Sequence, residues 1–171
     1  AREDKKGETA QELAKKLIEE RVELLGKLRD GEHTKKCSAT AKAEAQTAIS
    51  AAITRLNAIT VPSTATAEQI RATIKDGIIG KNHVYVAVLP AVRGMCVSDK
   101  IITLIDGKLA TIVTQLKAAN LDTTTLESLL AEAKVDAQAA YSAYKAIANN
   151  PGTSTHKADL AAAKAKLKEA K

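Results

Sequence analysis

Two runs of heptad spacing, separated by only a few residues, restrict what this chain can fold into more than any other feature of it. From Met95 the positions 95, 98, 102, 105, 109, 112, 116 and 119 carry Met, Ser, Ile, Ile, Leu, Ile, Leu and Ala, apolar throughout except at Ser98. After Asn120, Leu121 and Asp122 the spacing resumes at 126, 130, 133, 137, 140, 144 and 147 with Leu, Leu, Ala, Ala, Ala, Tyr and Ile. Alternating steps of three and four residues line apolar side chains along one seam of a helix. Two such helices of similar length, so closely joined, must fold back on each other. The spacing therefore predicts an antiparallel helical hairpin over 90–149, each arm about 40 Å long at about 1.5 Å per residue. Pro90 suits the first turn of the first arm, and Asn149, Asn150, Pro151 and Gly152 end the second. The large residues of one arm are expected to face alanines of the other.

The rest of the chain reads mostly as helix. Ala10, Ala14, Leu17, Leu24 and Leu28 share a helical face, with Leu13, Ile18 and Leu25 beside them, and Gly31 supplies a stop. This gives a first helix over 9–30 and a polar loop from Glu32 to Lys36. A second helix over 38–60 is rich in alanine, which lets a neighbouring backbone come close and places it inside the bundle. Thr66 followed by Gln69 is a capping-box pattern that opens a short helix over 66–76, with Ile70 and Ile74 on one face before Gly77. Between Gly80 and Pro90 the helical period fails: Val84, Val86 and Val88 alternate with Tyr85 and Ala87. With no second strand to pair with, this predicts a short extended connector over 83–89. Thr153 to Thr155 offer N-cap hydroxyls to a C-terminal helix over 154–171, whose thin apolar stripe of Leu160, Ala163, Leu167 and Ala170 is expected to pack weakly.

The core must be built without large rings. Aromatic residues are 2% of the 171, with no Phe and no Trp, against 45% apolar overall. Leu, Ile, Val and Ala remain to fill it, which suits closely packed helices. The expectation is a single all-α domain, a helical bundle built around the long hairpin.

Few residues suggest chemistry. His33 and Cys37 are four apart, but no second ligand pair lies near them to close a four-ligand site. His83 and His156 stand alone. A carboxylate-bridged metal pair in a bundle needs Glu-x-x-His on two helices, and the chain has none. Glu132 and Asp136, one turn apart, lie off the heptad seam and read as solvated charges. There is no Gly-rich phosphate loop, no Gly-x-Ser-x-Gly elbow and no zinc-protease helix. The chain is accordingly expected not to be an enzyme, with no catalytic residues, no metal and no cofactor. The formal charge of +6 comes from 26 basic and 20 acidic residues, well mixed. The densest positive stretch, Lys157, Lys164, Lys166, Lys168 and Lys171, has no aromatic platform beside it and reads as a solvated face, so nucleic acid is not an expected partner.

Cys37 and Cys96 are expected to form a disulfide, whose closure of a loop of about 60 residues stabilises a fold by roughly 4 kcal/mol on the chain-entropy model. The opening Ala-Arg-Glu-Asp, with no initiator Met, has the form left when a signal peptide is cut after a small residue. Both point to export, and no segment approaches the run of about 20 apolar residues needed to span a bilayer.

The stretch from Val84 to Ile102, with Val88-Leu89-Pro90 and Asp99-Lys100-Ile101, resembles uncharacterised exported helical proteins of reduced-genome bacterial lineages. The Ala- and Lys-rich ending, Leu160 to Lys171, looks like theirs too. The resemblance covers about half the chain and implies export and a helical hairpin; it brings no catalytic residues. Two functions follow as expectations. The first is a non-catalytic secreted or cell-surface structural or adhesion-type module, whose partner is another protein or a second copy of itself. The second is a carrier of a small apolar ligand held between helices, lined by Tyr85, Met95, Tyr141 and Tyr144. A polyanion or nucleic-acid binder ranks below both.

Overall fold

The computed structural model describes residues 2–35, 37–81 and 84–170, and among these every regular element is helical. The long α1 (Arg2–Asp30) is followed by a single turn, α2 (Glu32–Lys35), then α3 (Ala39–Asn57) and α4 (Ala67–Ala72). The first arm of the hairpin is α5 (Leu89–Leu104) and α6 (Ala110–Ala118), joined through a wider π-type turn at Ile105–Leu109. The second arm is α7 (Thr124–Asn149), and α8 (His156–Glu169) folds back along it. The expected all-α bundle around a long antiparallel hairpin is what forms.

Alanine decides how closely the helices approach. Ala41, Ala45, Ala48 and Ala52 are buried along α3, which packs against α1 on one side and α7 on another. Facing them on α1 are Ala14, Leu25 and Leu28, with Leu17, Ile18 and Val22 packed alongside, whereas Leu13 is 51% exposed. The α1 stripe is thus turned toward the alanine face of α3, where dispersion contacts are densest. Ser38 caps α3, its Oγ accepting from the Ala41 N–H at 3.2 Å. Thr66 and Gln69 form the expected reciprocal capping box at the start of α4.

Three expectations need correction. The segment from Glu32 is not a loop but the helical turn of α2, held because the fully buried Thr34 donates its hydroxyl to the carbonyls of Arg29 and Gly31 at 2.9 and 3.1 Å. The helix after Thr66 does not stop at Gly77: a π-type stretch, Thr73–Ile79, carries it on to Gly80 and buries Ile78. The connector over 83–89 is not extended. Val84–Val88 is a wide helical turn that runs without a break into α5, while His83 lies outside the described residues. The alternating valines concealed a longer helical period: Val84, Ala87, Val88, Ala91, Val92 and Met95 are all buried on one face. Pro90 does not interrupt this path. A ring that lacks an N–H and crowds the carbonyl four residues back is accommodated by a wider preceding turn.

The π-type turn at Ile105–Leu109 also moves the heptad seam. Upstream of it Met95, Ser98 and Ile105 are buried as expected, but downstream Val113 is buried and the expected Ile112 is 44% exposed. One extra residue in the wider turn displaces the register by one position. On α7 the seam holds, with Ala137, Ala140, Tyr144 and Ile147 buried. Ser98, the polar break, donates its hydroxyl to the Gly94 carbonyl at 2.9 Å, so it sits in the core satisfied by its own helix. At the tip the first arm ends with Asn120 at φ 58°, the Leu121 N–H reaching back to the Leu116 carbonyl and the Asn120 N–H to that of Lys117. This is the left-handed cap that Asn tolerates better than other side chains.

Contrary to expectation, α8 packs extensively, through Leu160, Ala163, Leu167 and Ala170, and mainly on α7. Small residues on both helices permit it. The turn leading into α8 is fixed by the fully buried Pro151 and by Gly152, where a Cβ would stand 2.6 Å from the Lys81 Cα.

Candidate interaction surfaces

The expected disulfide joins Cys37 to Cys96, with the two Cα atoms 4.8 Å apart. It ties the start of α3 to the middle of α5. One turn after Cys96, the Asp99 carboxylate accepts from the Ser38 N–H and the Ser38 hydroxyl, both at 2.9 Å. The covalent bond and two charge-assisted hydrogen bonds thus clamp one corner of the bundle.

From that clamped base the hairpin projects. The two arms pack most closely along α5, where Gly94 lies against the Tyr144 ring and Ser98, Ala137 and Ala140 are buried. Beyond Leu104 they stand farther apart, and among the described residues no helix outside the first arm, α7 included, packs extensively against Ile105–Ala118. Lys134 pairs with Asp106 and Lys117 with Glu127, each at 2.7 Å, across the space between the arms. These are exposed pairs, worth little in stability and more in holding the arms in register. Outside the seam the arms carry apolar side chains in solvent: Leu104, Ile112, Leu121, Leu129 at 57% and Val135 at 62% exposed. Glu132 and Asp136 flank Val135 on this outer face of α7, Glu132 exposed and Asp136 half-buried.

A second concavity lies at the base. A groove of about 600 Å³ runs between α5 and α8. Gly94 and the Tyr144 ring form its floor, and a Cβ on Gly94 would stand 2.5 Å from three carbons of that ring. Arg93 lines one side, and Lys164 and Lys168 the other.

The proposed ligand-lining residues are not gathered in one place. Met95 is fully buried in the core. Tyr141 faces α3, its hydroxyl donating to the Glu44 carboxylate at 2.8 Å, and only Tyr144 reaches the groove. The side chain of Tyr85, like that of His33, lies outside the described residues. His156 is the first residue of α8 and is buried, its Nδ1 2.9 Å from the Thr153 carbonyl. Among the described residues no cluster of three His, Cys, Asp or Glu could hold a metal ion, and no helix is long and apolar enough to cross a membrane. The lysine-lined groove escaped the sequence reading, although Lys164 and Lys168 are spaced one turn apart. The chain matches no protein-family model, no curated protein and no solved structure.

Glu44 on α3 is held by two side chains of α7. It accepts from Lys145 at 2.9 Å as well as from Tyr141, and both hydrogen bonds, Lys145 first, hold it below the usual carboxylate range. The Tyr141 phenol is pushed up, chiefly by burial and then by Glu44; burial alone raises Tyr144. The signs give opposite limits. Stability from Glu44 is present above its unfolded value of about 4.3 and is lost as pH falls through the lower folded value. Stability from the tyrosines is present below about 10 and is lost as pH rises through their higher folded values. Spectrophotometric titration of the native protein should therefore leave Tyr141 and Tyr144 protonated at about pH 10, their phenolate absorbance appearing only at higher pH or on unfolding. Ionisation of all three tyrosines near pH 10 in the folded chain would contradict the packing described.

Proposed function

We propose that this chain is a non-catalytic extracellular structural or interaction module, in which the projecting hairpin presents its outer faces to a partner protein or to a second copy. The observation that carries this reading is the apolar display on the arms. Leu104, Ile112, Leu129 and Val135 stand in solvent on a part of the molecule that contributes little to its own core. Where such exposed apolar side chains form one contiguous patch, they mark a contact site more often than chance exposure does. A clamped base with a projecting arm is suited to holding such a surface away from the body. The disulfide supports an oxidising compartment, as bonds of this kind persist mainly outside the cytosol.

The test replaces two of these residues. Leu104→Lys with Leu129→Lys should leave stability within about 0.5 kcal/mol, since exposed positions away from special features tolerate change. The same pair should abolish both reversible self-association in sedimentation equilibrium and binding of the purified protein to the exterior of its source cells. A wild-type chain that shows neither property, or a double variant that retains whichever is seen, would refute the proposal.

A further inference from the structure

We propose that the groove between α5 and α8 binds a single-chain anionic amphiphile, a long-chain carboxylate, with its acyl chain on the floor and its head group at the lysines. This inference does not depend on the role of the hairpin. Three features of the groove carry it. Its floor and walls are apolar: the Tyr144 ring and Gly94 below, Pro90 and Val97 on one side, Ala161 and Ala165 on the other. Its charges have one sign among the described residues, where Arg93, Lys164 and Lys168 line it and no carboxylate does. Neither Lys164 nor Lys168 has an ion-pair partner among the described residues, and both lie in solvent where they can reach an arriving anion.

Size separates the candidate occupants. The groove holds about 600 Å³, within the usual range for small-molecule sites of roughly 300–1,000 Å³. Two turns of a partner's α-helix, about 10 Å across and about 11 Å long, would take about 850 Å³. The space suits one flexible chain and not a docked helix. A neutral hydrocarbon would leave the lysine pair unused, and a cationic amphiphile would be repelled. The floor is preorganised: Tyr144 is held flat against α5 because residue 94 has no side chain, so little ordering entropy remains to oppose binding.

The experiment is isothermal titration of the oxidised full chain with laurate, decanoate and dodecyltrimethylammonium below their micellar concentrations. Laurate should bind one to one. Decanoate should bind several-fold more weakly, each methylene contributing roughly a twofold to fourfold factor, and the cationic amphiphile should not bind. Lys164→Glu with Lys168→Glu changes only exposed side chains and should weaken laurate at least tenfold with an unchanged melting temperature. Ala161→Leu, also at an exposed position, should block the chain directly. Equal binding of the anionic and cationic probes, no binding of laurate, or laurate binding indifferent to both variants would overturn the proposal. Saturable binding of an acidic helical peptide in place of laurate would do so as well.

Discussion

Replacing Cys37 and Cys96 with serine is expected to destabilise the protein by about 4 kcal/mol, the largest effect of any change considered. The magnitude comes from the unfolded state. Opening a covalent loop of 59 residues restores chain entropy that the bond had removed, about 4 kcal/mol on that model. Total stabilities of domains lie in the range of about 5–15 kcal/mol, so a large fraction is at stake. For a chain of this length the melting temperature should fall by about 8–16 °C. In urea the midpoint should drop, and because the unfolded chain expands once the loop is open, the slope should rise slightly. The Ser38 to Asp99 hydrogen bonds survive the substitution, so the reduced fold should keep its helical content. Calorimetry showing a loss below about 1 kcal/mol would mean that the entropy account does not apply.

The second large effect is a contrast in sign between two glycines, both inside helices. Gly94→Ala should destabilise by about 1–2 kcal/mol, while Gly26→Ala should stabilise by about 0.5–1 kcal/mol. Helix propensity favours alanine at both. At Gly26 nothing lies within 4 Å of the added carbon, so propensity decides. At Gly94 the same carbon meets the Tyr144 ring at 2.5 Å, and a ring wedged between two helices cannot swing aside as a flexible chain end would. Overpacking of that kind costs about 1–3 kcal/mol and outweighs the propensity gain. Chemical denaturation of the two variants, side by side, checks the pair. Stabilisation by Gly94→Ala would show that the arms can move apart at their base.

The physical origin of these effects explains what could be read in advance. The hairpin was legible because heptad spacing sustained over so many residues has no other solution, and Ser98 could sit within it because a small hydroxyl bonds back to its own helix. The cap of α3 at Ser38 and the capping box at Thr66 rest on local hydrogen bonds, and local sequence specifies those. The valines from Val84 to Val88 misled because five residues are too few to separate a period of two from a helical one; the deciding positions, Ala91, Val92 and Met95, lie beyond Pro90, which reads as a boundary. The exposure of Ile112 depends on a single wide turn, and no residue pattern announces such a turn reliably. Packing between distant segments was equally hidden. Tyr141 finds Glu44 across 97 positions, and the groove draws its two sides from α5 and α8. Lys164 and Lys168 look like solvent-facing charges until the opposite wall is known.

The bond between Cys37 and Cys96 also determines how the molecule would respond to a pulling force. Tension applied through the two ends of the chain passes across the sulfur bridge and bypasses α3, α4 and the wide turns that lie inside the ring. Those 59 positions represent about 200 Å of contour at about 3.5 Å per residue, none of which can be paid out while the bridge is intact. Stretching the oxidised protein would release only α1, α2 and the segments after Cys96, and would leave the ring closed as a covalent knot of fixed length. Under load the oxidised chain would then yield by the contour of its two outer segments alone and stop there, rather than unravel from end to end.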